Sequence, residues 1–296
     1  MQYSISDMEQ LSGISVHNIR IWERRYNALQ PSRTAGNTRY YDDSQLKRLL
    51  TIAGLYFSGH KISKACAMST EETQLFLQKA IDATVSRENH YEYYISQIIN
   101  HGMAYKEYEV DQLITQCFER NGVLSTYKFV MYPLLTRLGL MWCKDSLCPS
   151  HEHFLSSIFR QKLYTAINSC SAREPGSDKW LLFLPEDEDH DIGLLLASYL
   201  LKAAGKQVIY LGAKVPHYAL MNSVQAVDPE KLLFFMTRIR PVSDAQNFID
   251  TLAIEYPEKK IFLSGNPNLL SEVSFPRQIN WLRGLTDFEE IIKSNN

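Results

Sequence analysis

The chain has 296 residues, 45% hydrophobic and 22% charged, an ordinary globular composition long enough for two or three domains. A net charge of −2 excludes a uniformly basic protein, but the charge is uneven: residues 1–70 hold 9 Lys and Arg against 5 Asp and Glu (+4), the remainder 22 against 28 (−6). The odd set Cys66, Cys117, Cys143, Cys148 and Cys170, without a C-x-x-C pair, argues against a secreted disulfide scaffold or a zinc ribbon. The start Met1-Gln2-Tyr3-Ser4, with Asp7 and Glu9, is no signal peptide, and no apolar run approaches the ~18 residues of a membrane span, so a soluble cytoplasmic protein is expected.

Residues 1–70 read as short helices joined by tight turns. Ser6-Asp7-Met8-Glu9 opens a helix with Ile5, Met8 and Leu11 on its apolar side, and Ser12-Gly13 stops it, glycine being a favoured terminator. Ser15 is a good N-cap for a second helix through Ile19, Trp22 and Arg25. Helix, glycine-containing turn, helix is a helix-turn-helix signature. Pro31 to Asn37 breaks the pattern, Arg39-Tyr40-Tyr41 favours a short strand that would make a wing, and Asp42-Asp43-Ser44 starts another helix through Leu46, Leu49, Leu50 and Ala53.

From about residue 71 to 175 the chain looks all-helical. Leu75, Leu77, Ile81, Val85, then Ile95, Ile98, Ile99, then Leu113, Ile114, Phe118 and Leu134, Leu135, Leu138 recur at helical spacing, which suggests a bundle of four to five helices. After Gly176-Ser177-Asp178 the period changes. Trp180 to Leu184, bounded by Pro185, is a short apolar run of the kind a buried parallel strand shows. A helix through Leu194, Leu196, Leu200 and Leu201 ends near Gly205. Further strands are expected at Val208–Leu211, Leu232–Met236, Ile261–Leu263 and Ile279–Leu282, with helix between, for example Val242 to Tyr256. Strands alternating with helices imply a doubly wound parallel sheet. The fold expected is multidomain α and α/β: a winged helix-turn-helix over 1–75, a helical bundle over 76–175 and a Rossmann-like sheet over 176–296.

A basic head on an acidic body is the charge pattern of a DNA-binding domain attached to a separate sensor. His17 and Asn18 open the second helix, where a recognition helix meets base edges in the major groove, and Asn can read adenine. Arg20, Arg24 and Arg25 on that helix, and Arg33, Arg39 and Tyr40 around the wing, would grip the phosphates of double-stranded DNA. The bland alternative, solvated arginines on a structural three-helix unit, carries less weight because the arginines fall on both helix and wing. Trp22 is read as core. A single head of this size has a small footprint, so dimers or higher homo-oligomers on repeated half-sites are expected.

Two further patterns carry chemistry. Glu188-Asp189-His190-Asp191-Ile192-Gly193 follows the first strand, at the sheet edge where such folds bind ligands. Histidine is a good ligand for a borderline metal such as cobalt, a neighbouring carboxylate can set its tautomer, and Gly193 permits close backbone approach. Upstream, Trp142 is followed after nine residues by Glu152-His153. Taken singly, an acidic loop with an incidental histidine and a tryptophan packing a bundle would explain these residues as well. Arg238 and Arg240, beyond the third strand, read either as a solvated strand end or as phosphate contacts.

Ile19-Arg20-Ile21-Trp22-Glu23-Arg24-Arg25-Tyr26, with Pro31-Ser32-Arg33 and Asn37-Thr38-Arg39-Tyr40-Tyr41, resembles the DNA-binding domain of MerR-family regulators, departing from many members at Ile21-Trp22. The W-x9-E-H and E-x-H-x-x-G patterns together resemble the sensor half of the CarH/LitR-type photoreceptor regulators. That resemblance implies a cobalamin, most naturally adenosylcobalamin, held between bundle and sheet. His190 would be its lower axial cobalt ligand within Glu188 to Gly193. Trp142 would cover the upper face, with Glu152 and His153 near the adenosyl group. Two later elements are altered: Thr237-Arg238-Ile239 keeps a hydroxyl, and Ser264-Gly265 has one glycine where two are usual. The histidine that follows the tryptophan in the light-sensing relatives is Cys143 here, so their light-adapted bis-histidine state is not implied.

The expected function is a transcriptional regulator, a repressor by resemblance, controlled by adenosylcobalamin and light, and not an enzyme. Two alternatives stay open: a regulator that senses cobalamin or another ligand without light, and a cobalamin-dependent enzyme subunit, against which the head and the missing substrate domain argue.

Overall fold

The computed structural model describes residues 3–12, 14–33, 37–57, 61–69, 71–73, 75–76, 89–143, 148–170, 178–238 and 240–294. By internal contacts the chain divides into two compact units, residues 1–113 with 128–155, and 114–127 with 156–296.

The first unit opens with the head. Helix α1 (Ile5–Ser12) starts on a reciprocal cap: Asp7 N–H donates to Ser4 Oγ at 3.2 Å and Ser4 N–H to Asp7 Oδ2 at 2.7 Å. Helix α2 (Val16–Tyr26) is capped by Ser15, whose hydroxyl accepts from Asn18 N–H at 3.3 Å, and ends at Asn27 in the left-handed region. Strands β1 (Ser32–Arg33) and β2 (Arg39–Tyr40) pair antiparallel as the wing, and an isolated bridge joins Tyr41 to Tyr3. Helix α3 (Asp43–Phe57) is capped by Asp42, whose Oδ1 accepts from Gln45 N–H at 2.9 Å; α4 (Ile62–Ala67) follows. Met8, Ile19, Trp22, Tyr41, Leu49 and Ile52 are buried at their centre, so Trp22 is core, with Tyr56 edge-on to it at 5.5 Å.

The helical bundle comprises α5 (Asn89–Met103), α6 (Glu107–Thr126), a π-helical turn at Tyr127–Met131, α7 (Tyr132–Cys143) and α8 (Pro149–Asn168). Gly122 breaks the helical path of α6 at φ 77°, ψ 162°. In the first unit, α7 is tied to α5 by Arg137, which donates to both carboxylate oxygens of Glu92 at 2.6 and 3.0 Å. The helical spacing at Leu77, Ile81 and Val85, and the junction at Gly176-Ser177, lie outside the described residues.

The second unit holds a five-stranded parallel sheet in the order β4-β3-β5-β6-β7: β3 (Lys179–Pro185), β4 (Gln207–Val215), β5 (Lys231–Met236), β6 (Lys260–Gly265) and β7 (Ile279–Trp281). Helices α9 (Ile192–Ala203) and α13 (Leu285–Ser294) cover one face, against Trp180, Leu182 and Leu184. Helices α10 (His217–Val227), α11 (Val242–Glu255) and α12 (Pro267–Leu270) cover the other, against Leu181 and Phe183. Successive strand side chains point to opposite faces. A strand covered on both faces must therefore be apolar without alternation, as the run Trp180 to Leu184 is.

The chain thus has the expected multidomain architecture: winged helix-turn-helix, helical bundle and Rossmann-like doubly wound sheet. Two strands run further than expected: β6 continues past Leu263 to Gly265, and β4 shows the larger difference. β4 runs to Val215 instead of stopping at Leu211, because Gly212 at φ 85° and Lys214 at φ 54° let it shift register against β3 and continue. No helix among the described residues is long and apolar enough to cross a membrane.

Candidate functional site

From β3 the chain turns first to β4 on one side and later to β5 on the other. The crevice where strand order reverses, outside the carboxyl ends of β3 and β5, is where sheets of this class bind ligands. The loop after β3 carries Glu186 to Asp191, and the loop after β5 carries Thr237, Arg238 and Arg240.

Glu188 joins the two loops. Its side chain is fully buried. Its Oε1 accepts from His190 Nδ1 at 2.5 Å and from His190 N–H at 3.2 Å. Its Oε2 accepts from the N–H groups of Thr237 and Arg238 at 2.8 and 2.6 Å, and from Arg240 Nη2 at 3.2 Å. Burial pushes this carboxyl up, but the hydrogen bonds and charge of His190, with the N–H of Arg238, outweigh burial and hold it at about 2. A carboxylate so saturated with donors is a poor metal ligand, even though Glu188, Asp189 and His190 bring donor atoms within 4.8 Å of one another.

His190 is the ligand candidate. Its side chain is 56% exposed, and Nδ1 is held by an ionised acceptor. A ring that donates from Nδ1 carries its lone pair on Nε2, the arrangement in which a carboxylate orients an imidazole toward a metal. The start of α9 is fixed by Arg160, whose Nε donates to Asp191 Oδ1 at 2.6 Å. The residues present therefore fit the metal end of a corrinoid cofactor: an imidazole nitrogen, oriented by a carboxylate and accessible.

The other residues picked from sequence fall as follows. Gly193 sits against Phe235, whose Cε2 would lie 2.7 Å from an added Cβ, so its smallness lets α9 pack on β5. Thr237 reaches the site through its backbone N–H. Ser264 Oγ donates to Leu282 O at 3.1 Å. Gly265, at φ 151°, lies so close to β5 that a Cβ would come within 2.1 Å of Met236 O. Ile239 lies outside the described residues. In the first unit, Trp142 and Cys143 are the last residues of α7, and their side chains are outside the described set. Glu152 and His153 lie in the first turn of α8, His153 Nδ1 at 3.4 Å from Glu152 Oε2, with His153 80% exposed.

Sequence reasoning missed Arg240 as a structural partner. It is not a solvated strand end: its side chain is 8% exposed, and it also donates from Nη1 to Asp187 Oδ1 at 2.9 Å. Nothing local signals this, because its partners lie 52 and 53 residues away.

In the head, His17, Arg20 and Arg24 follow one another at three- and four-residue steps on an exposed face of α2, opposite buried Ile19 and Trp22; Arg25 is exposed and Asn18 half-buried. Arg33 donates from Nη1 to Asn37 Oδ1 at 2.6 Å, and Tyr40 is half-buried. Glu23, also missed from sequence, ties wing to helix. It accepts from Arg39 Nε at 3.2 Å and from the buried Tyr41 hydroxyl at 2.5 Å. Arg39 is thereby held at the wing with its side chain about one-third exposed. Arg39→Ala is expected to weaken binding to all DNA sequences alike and to lower the slope of log K against log salt by about 1, the signature of one lost phosphate contact. Isotherms at several salt concentrations measure this, and an unchanged slope would remove Arg39 from the phosphate set.

Comparison with known proteins places these features. Residues 3–68 match the family described as MerR HTH family regulatory protein. Over 84% of this chain and 83% of the relative, the sequence is 28% identical to the HTH-type transcriptional repressor CarH of Myxococcus xanthus. It is 27% identical to the HTH-type transcriptional repressor CarA of the same organism, over 81% of this chain and 78% of that one. Among solved structures, the Methanosarcina barkeri monomethylamine corrinoid protein matches with a TM-score of 0.50 at 16% identity, covering 70% of this chain and 98% of that one, which relates the folds.

Proposed function

We propose that this chain, whose residues 3–68 are a MerR HTH domain and whose similarity to repressors runs on through the rest, is a DNA-binding transcriptional repressor controlled by bound cobalamin. Adenosylcobalamin is the form proposed, and light the signal. The observation that supports this reading most is the His190 site: an accessible imidazole, its Nδ1 held by buried Glu188, at the switch point of a sheet whose fold matches a corrinoid protein. His190 would hold the cobalt through Nε2. The same reading assigns Glu188, Gly193, Thr237, Ser264 and Gly265 of the sheet, and Trp142, Cys143, Glu152 and His153 of the helical region, to the cofactor. Bound adenosylcobalamin would supply a cobalt–carbon bond that light can break. The protein's own part is to hold the corrin, orient the ligating ring and couple occupancy to the head.

His17, Asn18, Arg20, Arg24, Arg25, Arg33, Arg39 and Tyr40 are the proposed DNA contacts. The proposed working form is a cytoplasmic homo-oligomer, a dimer or tetramer, on double-stranded DNA, with domain limits at 1–75, 76–175 and 176–296. It acts by binding, not by catalysis.

The test is the absorbance of the purified chain loaded with adenosylcobalamin in the dark and again after illumination, with DNA binding followed in parallel. Corrin uptake in the dark, a spectral change in light and release of DNA are expected together. Uptake without any light response would leave a light-independent cobalamin regulator. No uptake at all would reject the cofactor reading.

A further inference from the structure

The buried guanidinium of Arg240 is unusual in its surroundings. Its side chain is 8% exposed, Nη1 meets Asp187 at 2.9 Å, Nη2 meets Glu188 at 3.2 Å, and Nε is buried with no hydrogen-bond partner among the described residues. A buried donor left without an acceptor destabilises the fold, so packing alone would favour an apolar residue here. What the arginine does is span two acidic side chains of the β3 loop from the β5 loop. Its planar fork fixes both at once, which a point charge cannot do.

Glu188 has two oxygens with separate tasks. Oε1 faces His190, and Oε2 faces the β5 loop. A partial rotation of the carboxylate about its Cγ–Cδ bond would carry Oε1 out of line with Nδ1 and Oε2 off its donors. Thr237 N–H and Arg238 N–H approach Oε2 from the backbone of one loop. Arg240 adds a charged donor whose own plane is set by Asp187, and Arg238 Nη1 ties the same stretch to Asp187 O at 3.2 Å.

We propose that Arg240 is the positioning residue of His190: through Glu188 it holds the ring with Nδ1 as donor, and so makes Nε2 the nitrogen presented for ligation. The inference rests on the cofactor reading for its consequence, but the geometry it concerns is made by the chain's own residues.

The experiment is therefore done first without cofactor. Full-length chain with 15N-labelled histidine is compared as wild type, Arg240→Met, Arg240→Lys and Asp187→Asn, with His190→Gln assigning the His190 signals among the eight histidines. Two well-separated ring-nitrogen signals, the protonated one at Nδ1, are expected for wild type. In Arg240→Met they should move toward the Nε2–H form that an unconstrained histidine side chain favours, with a smaller move in Asp187→Asn. Arg240→Lys should recover part of the shift. Asp187 is half-exposed, so its variant keeps the test alive should Arg240→Met fail to fold. In dark titrations with adenosylcobalamin, the affinity of Arg240→Met should fall by about 10- to 100-fold, as when a partner behind a metal ligand is lost. Wild-type tautomer signals in folded Arg240→Met or in Asp187→Asn would overturn the assignment. An altered tautomer in a chain that takes up no cobalamin would uphold the positioning role and reject the cofactor reading instead.

Discussion

His190→Ala is expected to weaken adenosylcobalamin binding by about 100-fold or more in the dark, because loss of a partner behind a metal ligand already costs about 10–100-fold and here the ligand itself is gone. The chain should still fold. Glu188, the buried group that would suffer, keeps four donors: the N–H groups of residue 190, Thr237 and Arg238, and Arg240 Nη2. The His190 ring itself is more than half exposed, so its removal leaves no cavity in the core. Titration of wild type and variant, paired with urea unfolding of both, separates lost ligation from lost structure. Equal affinity with unchanged spectra would show that His190 does not meet the cobalt.

Gly265→Ala should do the opposite, damaging the fold before any ligand is considered. At φ 151° the backbone lies where side chains are strained, and the new Cβ would fall 2.1 Å from Met236 O and 2.5 Å from Met236 C. The strain alone costs about 1–3 kcal/mol, and the overlap is with backbone of the neighbouring strand, which cannot swing aside. A loss of at least about 3 kcal/mol lowers Tm by about 6–12 °C in a unit of this size. Gly139→Ala is the control, since a Cβ there meets nothing within 4 Å among the described residues. Melting curves for both decide the matter. A Gly265→Ala chain melting with wild type would mean that β6 can part from β5 at little cost. The expected result gives the Ser264-Gly265 pair a structural role whatever the site binds: Ser264 is bonded to Leu282 and Gly265 is demanded by the approach to Met236.

The sequence by itself determined the elements, because their causes are local. Ser15 caps α2 through a bond three residues long, the apolar period of α2 puts Ile19 and Trp22 on one face, and the unbroken run Trp180 to Leu184 requires a strand covered on both sides. It also singled out His190 and the carboxylate beside it, since the two are only two residues apart. What only the tertiary structure decided are relations between segments remote in the chain. Strand order β4-β3-β5 brings the loop after β5 onto Glu188 from 49 to 52 residues away and turns Arg240 from a strand-end charge into a buried clamp. Likewise Glu23 meets Arg39 and Tyr41 only once the wing folds back on α2, and Gly193 and Gly265 are small because Phe235 and Met236 stand against them. Spacing along a chain reports neighbours within a turn or two of helix or along a strand; it carries no distance to a group that a crossover connection brings alongside.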